Sequence, residues 1–160
     1  MFEGEHGEIA RSNSVATASR FAIVVARYND SITRKLLDGA LRVFAAAGLG
    51  GEAIDVIWVP GAWELPVVAA RCVHGGGYSA VIVLGAVIRG ETTHDQYINH
   101  QVSTTLGQLA TESLVPVIFG LLTCQTLEQA LHRAGGNVGN KGEECASAAL
   151  EMADLMRKLP

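Results

Sequence analysis

The segment Ile88–His94 combines residue types that suit anion binding and proton transfer. Gly90 allows a tight backbone turn, and Thr92 and Thr93 then offer hydroxyl and backbone N–H groups at a predicted helix start. Unpaired N–H groups and the helix dipole favour a bound phosphate at such a start. His94 follows directly and could carry protons near neutral pH. A capped helix with a surface histidine is the competing interpretation of this segment.

Aromatic and charged residues follow other apolar segments. Tyr28 and Trp63 could each stack on a flat heterocycle, and packing at a rim would also explain them. Glu64 could accept hydrogen bonds from sugar hydroxyls, or could be an acid favoured by the dipole in the first turn of a helix. Arg133 could supply positive charge to a phosphate, with a solvated arginine as the alternative. Taken singly, each residue leaves both interpretations open.

The sequence lacks the motifs that are characteristic of several other site types. Cys72, Cys124 and Cys145 are widely spaced, without a CxxC pair or a cysteine–histidine cluster of the zinc-binding kind. They are expected to be small buried apolar residues in a reducing compartment. Neither a P-loop motif nor a GxGxxG motif after the first predicted strand is present, which disfavours these two modes of nucleotide binding. The absence of GxSxG disfavours an α/β-hydrolase.

Composition indicates one globular domain. The chain has 160 residues, of which 49% are hydrophobic and 18% charged, enough for a single core without disulfides. Its 12 basic against 16 acidic residues argue against a nucleic-acid-binding surface. The apolar run Ala80–Ile88 is far shorter than the ~18 residues of a membrane span, and no signal-peptide pattern is present. We therefore expect a cytoplasmic protein, with an arm at residues 1–19 and one domain at residues 20–160.

Strand-like and helix-like patterns alternate after the arm. Continuous apolar runs predict buried strands at residues 21–26, 53–59, 80–84 and 116–122. Helical spacing or capping signals predict helices at residues 32–47, from 63 or 64 to 74, from 94 onwards, from 126 to a stop at Gly135 and Gly136, and at 142–158. In the helix from residue 94 onwards, the residues expected to face the core are Tyr97, Ile98, Val102, Leu106 and Leu109. In the helix at residues 142–158, they are Cys145, Ala149, Met152, Leu155 and Met156.

This alternation predicts an α/β fold with a four-stranded parallel sheet and helices on both faces. Ligands of open α/β sheets bind outside the carboxyl ends of the strands. The residues that follow the predicted strands are therefore the candidates for one shared site.

Four segments together resemble the 6,7-dimethyl-8-ribityllumazine synthase family. They read RYND at residues 27–30, VPGAWELP at 59–66, GAVIRGETTH at 85–94 and RAGGNVGNKG at 133–142. The resemblance runs in order from about Phe21 to the C-terminal end. It implies flavodoxin-like strand order and an N-terminal arm that adds to a neighbour's sheet.

The resemblance implies a transferase of riboflavin biosynthesis that needs no metal or organic cofactor. Such an enzyme condenses 5-amino-6-(ribitylamino)uracil with 3,4-dihydroxy-2-butanone 4-phosphate and releases phosphate and water. Two alternatives share the fold: a non-catalytic shell protein that binds ribityl compounds or flavin, and a flavodoxin-like flavin-binding module. The second would leave His94 and Arg133 without a function.

Site roles follow from the resemblance residue by residue. The implied proton shuttle is His94, and the phosphate site consists of Glu91, Thr92 and Arg133. Pyrimidine and ribityl contacts are implied for Tyr28, Ala62, Trp63, Glu64, Ala86, Val87, Ile88 and, from a neighbouring subunit, Phe119. Trp63, Ala86, Glu91 and Asn137 depart from residues common in the family, and the Glu91 carboxylate is expected to face solvent.

Partners are also implied. Family members form homo-oligomers, namely pentamers with active sites between subunits, and many assemble into a 60-subunit icosahedral shell. The ungapped 133–142 segment favours the shell here. Riboflavin synthase is a further suggested partner, and no nucleic acid or membrane is expected.

Overall fold

A computed structural model describes residues 19–160, so the proposed arm lies outside the described residues except for Ser19. The elements are β1 (Phe21–Ala26), α1 (Asp30–Ala46), β2 (Ile54–Val59), α2 (Leu65–Gly75), β3 (Ala80–Ile88), α3 (His94–Ser113), β4 (Val117–Cys124), α4 (Leu127–Arg133), β5 (Ala134–Gly136), β6 (Gly139–Asn140) and α5 (Lys141–Lys158). Short 3-10 turns at Gly51–Ala53 and Ala62–Glu64 precede β2 and α2.

The main sheet is parallel, with strand order β2-β1-β3-β4. This is a flavodoxin-like order, and it confirms the predicted fold class. Ala26 at the end of β1 lies beside Val59 at the end of β2. The third strand continues to Ile88, four residues beyond the predicted end at Leu84, because β4 pairs with it throughout that extension. The carboxyl ends of β1, β2 and β3 consequently meet along one edge.

Helices cover both faces of the sheet because its central strands are apolar on both sides. All six residues of β1 are buried. Phe21, Ile23 and Val25 belong to the core formed with α1 and α5, whereas Ala22 and Val24 belong to the core formed with α2 and α3. Burying a large apolar side chain contributes about 1.5–3 kcal/mol, so this alternation holds both helical layers in place.

Two residues that were predicted to face the core are exposed, so these two predictions are wrong. Tyr97 is 70% exposed, and Leu155 is 38% exposed. The buried stripe of α3 runs through Val102, Leu106 and Leu109, as predicted, and Tyr97 lies outside it because successive helix residues are rotated by about 100°. In α5 the buried positions are occupied by Cys145, Ala146, Ala149 and Ala153, while Met152 and Met156 are half-buried. Small residues therefore form the core face of α5.

The small side chains on this face let α5 approach α1 closely. A Cβ atom on Gly142 would overlap the carbonyl group of Leu36. The buried Asn140 side chain caps α5, since its Oδ1 accepts hydrogen bonds from the N–H groups of Gly142 (2.8 Å) and Glu143 (3.3 Å). Its Nδ2 donates to the carbonyl of Lys35 at 2.9 Å. The start of α5 is thus fixed against α1.

The segment before α5 differs from the prediction. The glycines at 135 and 136 were expected to terminate a helix, but α4 already ends at Arg133. Residues 134–136 and 139–140 instead pair as an antiparallel two-stranded ribbon, in which Gly135 and Gly139 adopt positive φ angles of 102° and 77°. The capping signal of α4 is confirmed, because Thr126 Oγ1 accepts a hydrogen bond from the Gln129 N–H at 3.2 Å.

Within residues 19–160, no helix is both long and apolar enough to cross a membrane. That same range contains no group of three or more His, Cys, Asp or Glu side chains suited to holding a metal ion. The three cysteines are free; Cys72 and Cys145 are buried and Cys124 is half-buried. Burial raises the pKa of Cys145 to about 11, so its thiol is protonated at neutral pH and is a weak nucleophile.

Candidate active site

A cavity of about 480 Å³ opens at the carboxyl ends of β1, β2 and β3, beside the start of α3. Nine of the predicted site residues line it, and they come from three strand exits: Tyr28, Ala62, Trp63, Glu64, Ala86, Val87, Ile88, Thr92 and His94. Other cavities of about 400 and 540 Å³ occur among the described residues, and neither contains Thr92 or His94. The aromatic, polyol-binding and proton-transfer candidates therefore converge on one cavity.

Asn29 holds two of the strand exits together. It adopts a left-handed conformation at φ 60° and ψ 45°, immediately before α1. Its Nδ2 donates a hydrogen bond of 2.8 Å to the carbonyl of Ala86 on β3. On the other side, the N–H of Tyr28 donates to the carbonyl of Pro60 at 3.1 Å. These bonds fix the backbone that carries Tyr28, whose side chain is 73% exposed at the cavity.

The turn at Ala62–Glu64 supplies the next wall. Ala62 is buried, Trp63 is 53% exposed and Glu64 is half-buried. A Cβ atom on Gly61 would lie 3.4 Å from Oε2 of Glu64 and 4.0 Å from Cβ of Tyr28. Gly61 thus separates the Glu64 carboxylate from the Tyr28 side chain, and at this wall of the cavity the carboxylate can accept hydrogen bonds from a polyol.

The loop between β3 and α3 supplies the anion-binding candidates. It is anchored at Arg89, whose N–H donates to the carbonyl of Cys124 at 2.8 Å and whose Nη1 donates to Oε1 of Gln125 at 3.2 Å. Thr92 Oγ1 accepts a long, 3.5 Å hydrogen bond from the N–H of His94, and the Thr93 side chain does not cap the helix. The first turn of α3 therefore keeps N–H groups available for a bound anion.

Four further residues line the cavity without having been assigned a substrate-binding or catalytic role: Gly61, Gly90, Asp95 and Ile98. Asp95 Oδ1 is buried and accepts no hydrogen bond from the described residues. A signal existed for Ile98, because it lies one helical turn after His94 and faces the same side. Asp95 carried no comparable signal, since an acid in the first turn of a helix has a sufficient explanation in the helix dipole.

Three predicted site residues do not line this cavity within one chain. Glu91 is exposed on the loop, as expected for its side chain. Phe119 is 39% exposed on β4 and pairs in register with Val83, which lies five residues, or roughly 16 Å, before the end of β3. Arg133 is the last residue of α4, and its neighbours Ala130 and Ala134 belong to the core on the α1 and α5 face of the sheet. Ala62, which lines the cavity, belongs to the core on the opposite face.

Arg133 is engaged in an ion pair instead. Its Nη1 and Nη2 donate to the two carboxylate oxygens of Glu144 at 2.8 and 3.0 Å, and Nη1 also donates to the carbonyl of Val138 at 2.6 Å. Lys141 Nζ lies 3.2 Å from Oε2 of Glu144. The hydrogen bonds from Arg133 lower the pKa of Glu144, and the same bonds raise the pKa of Arg133. Both groups are charged at neutral pH.

Comparisons with known proteins identify the family of the chain. The sequence model of the 6,7-dimethyl-8-ribityllumazine synthase family matches residues 18–157. A protein named 6,7-dimethyl-8-ribityllumazine synthase from Pediococcus pentosaceus is 49% identical over 136 residues, covering 85% of this chain and 87% of that protein. The chain belongs to the 6,7-dimethyl-8-ribityllumazine synthase family.

Proposed function

We propose that this chain is a transferase of riboflavin biosynthesis that makes 6,7-dimethyl-8-ribityllumazine. It condenses 5-amino-6-(ribitylamino)uracil with 3,4-dihydroxy-2-butanone 4-phosphate and releases inorganic phosphate and water. The observation that carries the proposal is the convergence of Tyr28, Glu64, Thr92 and His94 on one cavity in a member of this family. A non-catalytic shell protein is less favoured, because ribityl binding alone requires neither Thr92 nor His94.

The pyrimidine substrate occupies the part of the cavity between the ends of β1 and β3. Its ring stacks on Tyr28, and backbone groups of Ala86, Val87 and Ile88 meet its polar edge. The ribityl chain extends along Ala62, Trp63 and Glu64, with Glu64 accepting hydrogen bonds from its hydroxyls. The Asn29 side chain and backbone hydrogen bonds between the strand exits hold these residues, which can keep the substrate amine in a fixed place.

The phosphate of the second substrate binds at the first turn of α3. Backbone N–H groups near Glu91, the Thr92 hydroxyl and the positive end of the helix dipole stabilise its negative charge. The ketone carbon is then held next to the amine. Holding two reactants together in this way lowers a barrier by up to about 7–11 kcal/mol.

Condensation begins when the 5-amino nitrogen attacks the ketone carbon. One water leaves as the imine forms, and loss of a proton next to the imine then allows the carbon–oxygen bond to phosphate to break. The resulting enol becomes a ketone, the ribitylamino nitrogen attacks it, and a second water leaves as the ring closes. His94 moves protons in these steps, and one well-placed acid–base group typically contributes about 10²–10⁴ in rate.

Phe119 and Arg133 complete the site from a neighbouring subunit. Both lie outside the cavity of their own chain, and both are partly exposed. In a head-to-tail ring each subunit can offer these residues to the next subunit's cavity. The proposed ring is a pentamer, twelve of which form a 60-subunit shell. Sedimentation velocity distinguishes a monomer, a pentamer and the shell, and a stable active monomer would contradict a shared site.

Coexpression of two variants with strongly reduced activity tests the shared site directly. His94→Ala removes the proton shuttle, and Arg133→Met removes the phosphate counter-charge. If the residues act across a subunit boundary, random mixing places both native residues in about a quarter of the sites, so lumazine fluorescence returns. The matched control combines His94→Ala with Thr92→Ala, which lie in the same cavity wall and cannot complement each other. No recovery in the first mixture would contradict the shared site.

We extend the proposal to a cytoplasmic location and to riboflavin synthase as the partner that consumes the product. Cosedimentation of the two proteins from a cell extract, followed by the same experiment with purified proteins, tests the association. Separate sedimentation at all concentrations would remove riboflavin synthase from the proposal and leave the reaction unaffected.

A further inference from the structure

The Arg133 guanidinium is held along one edge. Its two terminal nitrogens meet the two oxygens of Glu144 at 2.8 and 3.0 Å, which is the bidentate arrangement that fixes a guanidinium in both position and orientation. A third bond, from Nη1 to the carbonyl of Val138 at 2.6 Å, ties the same group to the turn between β5 and β6. Three hydrogen bonds to these two neighbours restrict the rotation of the Arg133 side chain.

The remaining donors of Arg133 lie on a different edge. A guanidinium has five N–H donors, and the structure uses three of them on Glu144 and Val138. The other two are Nε–H and the second hydrogen of Nη2, which point the same way from adjacent nitrogens. Two parallel N–H groups match two oxygens of a phosphate. The side chain is 29% exposed, so another molecule can reach it.

Glu144 is itself held in place. The Asn140 cap fixes the first turn of α5, on which Glu144 lies, and Lys141 Nζ contacts the Glu144 carboxylate at 3.2 Å. With two cations and one carboxylate, the charges of Arg133, Lys141 and Glu144 sum to +1. The cluster therefore still attracts an anion, although it contains a carboxylate.

We propose that Glu144 is a positioning residue: it orients Arg133 so that its Nε and Nη2 donors present a free fork to the substrate phosphate. This inference rests on the proposed function of Arg133 as the phosphate counter-charge. It assigns Glu144 no contact with substrate. The expected effect of the Glu144 carboxylate is to strengthen phosphate binding, whereas charge repulsion alone would weaken it.

Glu144→Gln and Glu143→Gln form a matched pair for the test. Both remove one negative charge from the first turn of α5, and the two side chains are similarly exposed, at 46% and 45%. Glu143 instead pairs with Arg42 at 2.7 Å and does not touch Arg133. The measurements are KM for each substrate, kcat, and the inhibition constant of inorganic phosphate.

We expect Glu144→Gln to raise the KM of the butanone phosphate and the inhibition constant of inorganic phosphate roughly tenfold. The KM of the pyrimidine substrate should change by less than about twofold, and Glu143→Gln should leave all values within about twofold. Tighter phosphate inhibition in Glu144→Gln would overturn the inference. The same rise in Glu143→Gln would overturn it too, because net charge would then explain the effect.

Arg133→Met separates failure of the inference from failure of the proposed function. If phosphate inhibition is unchanged in Arg133→Met, the proposed role of Arg133 fails, and the inference falls with it. If Arg133→Met weakens phosphate inhibition and Glu144→Gln does not, only the inference fails. Glu144→Asp covers the case in which Glu144→Gln does not fold, since it keeps the helix-start charge and shortens the reach. A wild-type phosphate inhibition constant in Glu144→Asp would contradict positioning.

Discussion

The cavity at the carboxyl ends of β1, β2 and β3 and the cluster around Arg133 are built in different ways. Backbone hydrogen bonds between strand exits and the Asn29 side chain hold the cavity walls, so one chain forms them alone. The Arg133 cluster is held by an ion pair between partly exposed side chains, at the C-terminal end of α4 and in the first turn of α5. The proposed binding cavity for the organic substrate is thus built into the parallel sheet, whereas Arg133, the proposed counter-charge of the phosphate, lies outside it.

This division has an energetic reason. Positions at the ends of buried strands inherit their rigidity from the core, and a substrate ring needs fixed walls. The cavity already contains the carboxylates of Glu64 and Asp95, and a guanidinium in the same wall could pair with them instead of with a phosphate. A cation supplied by a separate element can be oriented by Glu144 without placing that carboxylate in the cavity.

The largest effect is expected for His94, the cavity residue to which we assign proton transfer. His94→Ala should lower kcat by about 10²–10⁴-fold with little change in either KM, because the substrates keep their binding groups. His74→Ala is the control, since His74 is exposed at the opposite end of α2 from the cavity. Stopped-flow or steady-state absorbance of the lumazine product measures the rates. An unchanged kcat in His94→Ala would remove the proton role and leave the binding roles standing.

A smaller effect is expected for the bond that ties the cavity walls together. Asn29→Ala loses the hydrogen bond to Ala86 and places alanine at a positive φ, which should lower the free energy of unfolding by about 1–3 kcal/mol. Asn29→Gly loses the bond but adopts the backbone conformation freely, so its loss should be smaller. Urea unfolding measures both variants. Equal free energies of unfolding for Asn29→Ala and Asn29→Gly would contradict the expected cost of placing alanine in the left-handed conformation.

The smallest effect is expected at the exposed ion pair. Hydrogen bonds from Arg133 lower the pKa of Glu144, so the folded state binds this proton less readily than the unfolded state does. The pair therefore stabilises the fold above the ordinary glutamate pKa of 4.5, and this stability is lost as the pH falls below that value. Because Glu144 is 46% exposed, the contribution at pH 7 should be at most about 1 kcal/mol.

Unfolding of wild type and Glu144→Gln at pH 7 and at pH values below 4.5 measures this contribution. The difference between the two proteins should shrink as the pH falls. A difference that grows towards low pH would contradict the assigned direction of the Glu144 pKa.

Much of the fold could be predicted because its signals are local. The runs at β1 and β3 are apolar on both faces, and the capping signal at Thr126 starts α4 as expected. Predictions failed where neighbours decided the outcome. Tyr97 has an apolar ring but lies one step round α3 from the buried stripe, and the glycines after Arg133 form a ribbon that pairs with residues 139–140.

The candidate site divides in the same way. Residues that directly follow a strand or precede a helix, such as Tyr28, Glu64 and His94, were predicted and do line one cavity. Asp95 was missed, since nothing local distinguishes it from an ordinary first-turn acid. The pairing of Arg133 with Glu144 was also missed, because the two residues lie on different elements separated by a ribbon that the sequence did not predict.

The sequence by itself determined the alternation of strands and helices, the residue types at each strand exit and the family to which they point. These depend on side-chain periodicity and on chemistry within a few neighbouring residues. Only the tertiary structure decided which of those residues share a cavity, that Asn29 bridges to Ala86, and that Glu144 occupies one edge of Arg133. Distances between segments far apart in the chain depend on sheet order and on the packing of α1 against α5, and no local pattern encodes them.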